Sequence, residues 1–166
     1  MIVVCGILFM FGPGSHDEVQ KLLPRLIHRG PDEQRIIETD EMALGFTRLA
    51  INGCGEVGAQ PMEHEGMIGA FNGEVYNHRD ISEKYALPLS LSDTDVMLPL
   101  FMKLNEGILD VLDGFFSGVI FDSSTSRIWT IRDHIGKKPL FVGRSGTKVF
   151  ITSELKAIDN VDHFSA

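Results

Sequence analysis

The sequence predicts an α+β chain, with antiparallel sheets of short strands and a few helices packed outside them. Three observations point that way. Short apolar or alternating runs recur along the chain, with turn residues between them. Glycine is abundant, 17 of 166 residues, as a turn-rich chain requires. Apolar residues at helical spacing occur only in a few short stretches. The length suits one domain over residues 1–166, and no linker, repeat or low-complexity tract interrupts it.

Met1 to Phe11 reads MIVVCGILFMF, a buried strand ended by the Gly12-Pro13-Gly14 turn. It is as apolar as an export signal, but no Lys or Arg precedes it and no small-residue cleavage site follows. Ser15 and Glu18 have capping-box spacing, and Leu22, Leu23, Leu26 and Ile27 continue a helical stripe despite Pro24. Arg35–Glu38 and Met42–Thr47 read as strands around an Asp40-Glu41 turn, and Asn52–Gln60 as a glycine-rich loop. Met67–Phe71 reads as a strand running into Asn72-Gly73, a turn dipeptide. Asn77 can cap a short helix through Tyr85. Ser92 can cap another that carries Val96, Met97, Leu100, Phe101 and Leu104 on one face. Phe115–Phe121 and Arg127–Ile131 are strands, Pro139–Val142 and Lys148–Thr152 form a hairpin, and a last short helix covers Glu154–Ile158.

Composition excludes several classes of function. Lys and Arg number 15 against 23 Asp and Glu, a net charge of −8, which disfavours nucleic-acid binding. No apolar run approaches the ~20 residues of a membrane helix. The 2 cysteines, Cys5 and Cys54, make no disulfide framework, so a reducing cytoplasm is the expected compartment. Cys54, between Gly53 and Gly55, reads as a bystander. His16, His64, His78, His134 and His163 lack metal-ligand spacing, so neither a metal nor another cofactor is expected.

A series of strings then appears in a distinctive order. It begins with Cys5-Gly6-Ile7, HRGPD at His28–Asp32, TRLAI at Thr47–Ile51 and GAQPM at Gly58–Met62. It continues with FNGEVYNH at Phe71–His78, SDTD at Ser92–Asp95 and LDGFF at Leu112–Phe116. RDHIGKKPLF at Arg132–Phe141 and SELKAI at Ser153–Ile158 complete it. Across essentially the whole chain this resembles the glutaminase domain of class II glutamine amidotransferases, most closely that of asparagine synthetases. The resemblance implies the N-terminal nucleophile hydrolase fold, a four-layer α/β/β/α sandwich of two stacked antiparallel sheets.

It also implies an acyl transfer on L-glutamine that yields L-glutamate and ammonia. Cys5 becomes the nucleophile and its own α-amino group the base. An α-amine has a pKa of ~7.7–8.0, suited to proton exchange near neutrality, whereas the same nitrogen in a peptide bond is not basic. Asn72 and the Gly73 N–H become oxyanion donors. Arg48 becomes a two-pronged clamp on the substrate α-carboxylate. Asp93, with Glu74 nearby, becomes the partner of the α-ammonium. Without the resemblance, Cys5 reads as a small core hydrophobe, Asn72-Gly73 as a plain turn, Arg48 as a surface residue and Asp93 as a first-turn acid of a helix. Asp95 reads as structural. His28, Arg29 and Asp32 read as residues that fix loops near the site. Arg132, Asp133 and Lys138 read as structural, or as marking a face toward a synthetase domain.

Two features depart from the family pattern. Met1 to Val4 precede Cys5, whereas such a cysteine usually follows the initiator Met. Three readings stand side by side: a short propeptide cleaved at Val4–Cys5, a misassigned start at codon 4, or a retained segment that blocks the amine and impairs the enzyme. The sequence also stops at Ala166 without the Ser-Gly-Gly phosphate loop of a synthetase domain. The ammonia then passes to a separate or host synthetase, the chain works alone or has become something else, or the sequence is a piece cut from a longer protein. The competing expectation is a catalytically impaired glutamine-binding or regulatory module that docks onto a synthetase.

Overall fold

A computed structural model of the chain describes residues 4–50, 57–88, 92–158 and 163–165. Strands β1 (Gly6–Phe11), β2 (Glu33–Glu38) and β3 (Met42–Arg48) enclose helix α1 (Ser15–Leu22) in the chain order. Strands β4 (Met62–His64) and β5 (Met67–Val75), then helices α2 (His78–Lys84) and α3 (Met97–Leu104), follow. The chain continues with β6 (Gly114–Asp122), β7 (Arg127–Arg132), β8 (Phe141–Ser145), β9 (Lys148–Thr152) and β10 (His163–Ser165). Two sheets result, a six-stranded one in the order β10-β8-β9-β1-β3-β2 and a four-stranded one in the order β4-β5-β6-β7. Neighbouring strands in both are antiparallel.

The alternation of side chains along the strands builds four layers. β1 sends Ile7 and Phe9 inward, where they meet Met42, Leu44, Phe46, Ile68, Ala70, Val119 and Phe121 between the sheets. It sends Leu8 and Met10 outward onto Val19, Leu22 and Leu23 of the α1 region. On the far side, Phe71, Val75, Phe116 and Ile120 pack against Ile81 of α2 and Met97, Leu98, Leu100 and Phe101 of α3. The predicted α+β class and the four-layer α/β/β/α sandwich are therefore both present.

Several local expectations yield to longer-range partners. The Ser15–Glu18 capping box does not form: Gly14, at φ 74°, is the N-cap, Ser15 is buried in the first turn, and Glu18 pairs with Lys148 of β9. Pro24 converts the end of the stripe into a 3-10 turn at Leu23–Leu26, because its ring forbids continuing the α ladder. Asn77 precedes α2, but its side chain bonds the Val111 carbonyl and the Asp113 N–H instead of capping. Ser92 does not cap α3, which begins only at Met97. Its N–H and hydroxyl both donate to Asp95, at 2.8 and 2.7 Å. The helix expected at Glu154–Ile158 is a 3-10 turn at Leu155–Ala157. Most consequentially, Asn72-Gly73 is no turn: β5 runs straight through it, paired with β6 from Met67↔Asp122 to Val75↔Gly114.

Candidate active site

The inner-face stripes of the central strands all change character at one end of the sandwich. On β1 the inward face runs Phe9, Ile7 and then Cys5, which packs at the margin of the inter-sheet core. On β3 it runs Met42, Leu44, Phe46 and then Arg48. On β5 it runs Ile68, Ala70 and then Asn72 and Glu74. The register places Gly6 opposite Thr47 within one sheet, and the stacking of the two sheets brings the Asn72 end of β5 to the same place. They line one cleft that includes Cys5, Arg48, Asn72, Gly73, Glu74 and Asp93. Every candidate site residue thus meets at a single place.

Cys5 is held from both sides. Its Sγ lies 3.4 Å from the Leu49 N–H donor and 3.8 Å from the Leu49 carbonyl. Arg29 Nε donates to the Cys5 carbonyl at 2.9 Å, and Arg29 Nη1 donates to Glu154 at 2.7 Å. Burial pushes the Cys5 thiol up, against the opposing pull of the Leu49 N–H and of Arg48, Lys138 and Arg29. The thiol therefore needs a base before it can attack.

The Asn72 side chain is 2% exposed, and its Nδ2 has no hydrogen-bond partner. A buried donor without a partner is costly, and this one belongs to a residue that lines the cleft. Gly73 has φ 145°, and a Cβ there would overlap the Phe115 carbonyl, so glycine alone is accommodated. The ladder also fixes the direction of its N–H. Tyr76 donates to Asp113 on the β6 side, whereas Phe71 and Val75 bond away from β6, to Gln60 and Asp93. Gly73 shares their parity and turns its N–H to the same open edge.

Arg48 is 5% exposed, with its guanidinium donating to Glu33 at 3.3 Å and to the Val57 carbonyl. Asp93 accepts the Val75 N–H at 3.1 Å, and burial pushes its carboxyl up despite that bond. Asp95 is absorbed in its two bonds from Ser92. Lys138 also lines the cleft, although it was expected to be structural or to face a partner. Burial, and then the nearby Arg29, lowers its ammonium. Arg132 and Asp133 do form the scaffold of that segment. Arg132 donates to the Lys138 and Gly136 carbonyls, and Asp133 accepts from the Phe116, Ile135 and Gly136 N–H groups. Gln60 lines the cleft as well and bonds Phe71. Its place inside GAQPM does not signal this role, since no local pattern shows which strand a side-chain amide will meet. Met1–Val3 and Cys54 lie outside the described residues.

The loop residues His28, Arg29 and Asp32 serve as anchors. His28 lies 3.0 Å from Glu154, and Asp32 accepts the Ala50 N–H at 2.8 Å. For Glu154, burial alone would raise the carboxyl, but bonds from Arg29, His28 and Lys156 overcome it and hold it at about 2. A depressed carboxylate stabilises the fold above its unfolded pKa and loses that contribution as pH falls toward its folded value. Glu154→Gln is therefore expected to lower the melting temperature at neutral pH. The gap from the parent should close as pH falls from about 5 to about 2, measured by thermal denaturation across that range.

Two stacked antiparallel sheets between helices, with a cysteine leading into a central strand, make this an N-terminal nucleophile hydrolase fold. The chain belongs to the glutamine amidotransferase domain family, whose model matches residues 4–166. It is 38% identical over 171 residues to a probable glutamine-hydrolysing asparagine synthetase of Acanthamoeba polyphaga mimivirus, covering 95% of this chain and 31% of that protein. It is 31% identical over 179 residues to a putative asparagine synthetase of Methanocaldococcus jannaschii, covering 93% and 35%. The chain thus spans about a third of the length of these curated relatives. Among solved structures, it superimposes on the glutamine phosphoribosylpyrophosphate amidotransferase from B. subtilis complexed with ADP and GMP. The TM-score is 0.79 at 20% identity, over 92% of this chain and 42% of that one, a likeness of fold. Among the described residues, no helix is long and apolar enough to cross a membrane, and no group of His, Cys, Asp and Glu could hold a metal ion.

Proposed function

We propose that this chain hydrolyses the side-chain amide of L-glutamine to L-glutamate and ammonia, with Cys5 as nucleophile once its α-amino group is free. The α-amine takes the thiol proton, and Sγ bonds to the amide carbon. The oxyanion so formed accepts from Asn72 Nδ2 and the Gly73 N–H. Collapse expels ammonia, which leaves with the proton returned by the α-ammonium, and a thioester remains. Water, deprotonated by the same amine, cleaves the thioester to glutamate. Arg48 grips the substrate α-carboxylate, while Asp93, with Glu74 beside it, holds the α-ammonium. The observation that carries this reading is the buried, unpartnered Asn72 amide facing the same cleft as the Cys5 thiol.

The relatives named as asparagine synthetases support a synthetase, fused or separate, as the user of the ammonia. A free thiol suits a reducing compartment such as the cytoplasm. A second reading applies to the chain that keeps Met1–Val4. Its Cys5 nitrogen is a peptide nitrogen, and Val4 lines the cleft. Such a form would bind glutamine without turning it over and act as a regulatory module docked on a synthetase.

The reading is tested on the form that begins at Cys5. Cys5→Ala should abolish ammonia release while glutamine binding, followed by calorimetry, persists. The analogue 6-diazo-5-oxo-norleucine should add one molecule to Cys5, seen by mass spectrometry. An unlabelled Cys5 in a verified N-terminal-cysteine form would overturn the reading.

A further inference from the structure

β5 has β6 along one edge, but β4 covers its other edge only as far as the Met62↔Gly69 pair. Beyond Gly69, the odd-numbered residues Phe71, Gly73 and Val75 present their N–H and C=O groups to an edge on which no strand lies among the described residues. β6 holds one edge of β5 along its whole length, but the groups on the other edge still need partners, and what bonds them sets the exact position of that edge. Here two side chains complete the edge. Asp93 accepts the Val75 N–H at 3.1 Å. Gln60 pairs with Phe71 from both ends of its carboxamide: Nε2 donates to the Phe71 carbonyl at 3.0 Å, and Oε1 accepts the Phe71 N–H at 2.6 Å. Gln60 is 6% exposed, so neither bond competes freely with water.

The carboxamide of Gln60 therefore does for Phe71 what one residue of a neighbouring strand would do. The gap it leaves falls at Gly73, between the two braces, and the next residue after Phe71 is Asn72. We infer that Gln60 is a positioning residue for the oxyanion site: it fixes β5 at Phe71, so that the Asn72 amide and the Gly73 N–H converge on one point. This rests on the glutaminase reading above. Arg48 and Asp93 hold the amino-acid end of the substrate independently of Gln60. Loss of Gln60 should therefore affect the chemical step and leave binding nearly intact.

The test uses the form that begins at Cys5. Gln60→Met keeps the length and packing of the side chain and removes both bonds. A displacement of about 1 Å in a catalytic group can cost on the order of 100-fold, so kcat is expected to fall about 10- to 100-fold with KM within about threefold. Gln60→Glu supplies the rescue. As pH falls and the new carboxyl gains a proton, it can again donate to the Phe71 carbonyl, so the ratio of its kcat to the parent's should rise. Ile151→Val, in the inter-sheet core, should lower the melting temperature without changing kcat, which separates stability from positioning. A Gln60→Met chain with the parental kcat, or with its loss confined to KM, overturns the inference. So does a flat pH ratio for Gln60→Glu, which decides the matter even if Gln60→Met fails to fold. A parent that releases no ammonia overturns the glutaminase reading itself, and this role with it.

Discussion

Freed of Met1–Val4, the chain should hydrolyse glutamine about a thousandfold faster than the chain that keeps them, the scale of a positioned general base. The argument begins with the thiol. Burial pushes Cys5 up, so little thiolate forms unaided near neutral pH. A free α-amine, with a pKa of ~7.7–8.0, lies within reach of its own side chain and can take that proton. A peptide nitrogen cannot. The described cleft offers no histidine in its place. Glu74 and Asp93 are carboxyl groups, much weaker bases than an amine, and Lys138, which burial makes a better proton acceptor, is the residue whose replacement controls for a substitute base. The comparison requires the first residue of each form to be verified by mass spectrometry and ammonia release to be followed under saturating glutamine. Equal turnover by chains with an intact Met1 would show that the α-amine is not the base.

Asn72→Ala should separate function from stability. Removing one oxyanion donor typically costs about 100- to 1000-fold in kcat, and the same is expected here, with little change in KM. The fold should respond in the opposite sense. Asn72 Nδ2 is buried without a partner, and an unsatisfied buried donor costs about 1–3 kcal/mol. Alanine removes that penalty, so the melting temperature should be equal to or above the parent's. Steady-state kinetics and thermal denaturation on the same preparation decide it. A large loss of stability would mean that the amide is structural and not held ready for a ligand.

Gly73 gives a contrasting case, because glycine there serves the fold and the site together. Its φ of 145° and the overlap any Cβ would make with Phe115 exclude other residues. The dipeptide Asn72-Gly73 nevertheless reads from sequence as a hairpin turn. That signal reports only that a glycine tolerates unusual φ. It cannot report that β6 pairs continuously from Asp122 to Gly114 and carries β5 through. The same competition explains Ser15 and Ser92. Each has the spacing of a cap, but Glu18 is drawn to Lys148 across the chain, and Asp95 folds back on Ser92 ahead of α3. The three-residue strands β4 and β10 are likewise absent from any local pattern, since so short a strand exists only where a neighbour offers a ladder.

Much of the site was nonetheless legible in one dimension. Two-residue alternation on β1 and β3 already puts Cys5 in line with Ile7 and Phe9, and Arg48 in line with Leu44 and Phe46. The ordered motifs carry the family, and with it the roles proposed for Asn72, Gly73, Glu74 and Asp93. These are properties of residue type and spacing, which a sequence holds in full. Gln60 and Lys138 are different. Gln60 reaches its place because β4 begins only at Met62, opposite Gly69, and leaves the rest of that edge to be completed, and Lys138 because Arg132 and Asp133 fold its segment back over the cleft. The outward aim of the Gly73 N–H depends in the same way on which neighbour β5 has on each side. Such placements are set by pairing between segments far apart in the chain, and that pairing exists only once the two sheets have formed and stacked.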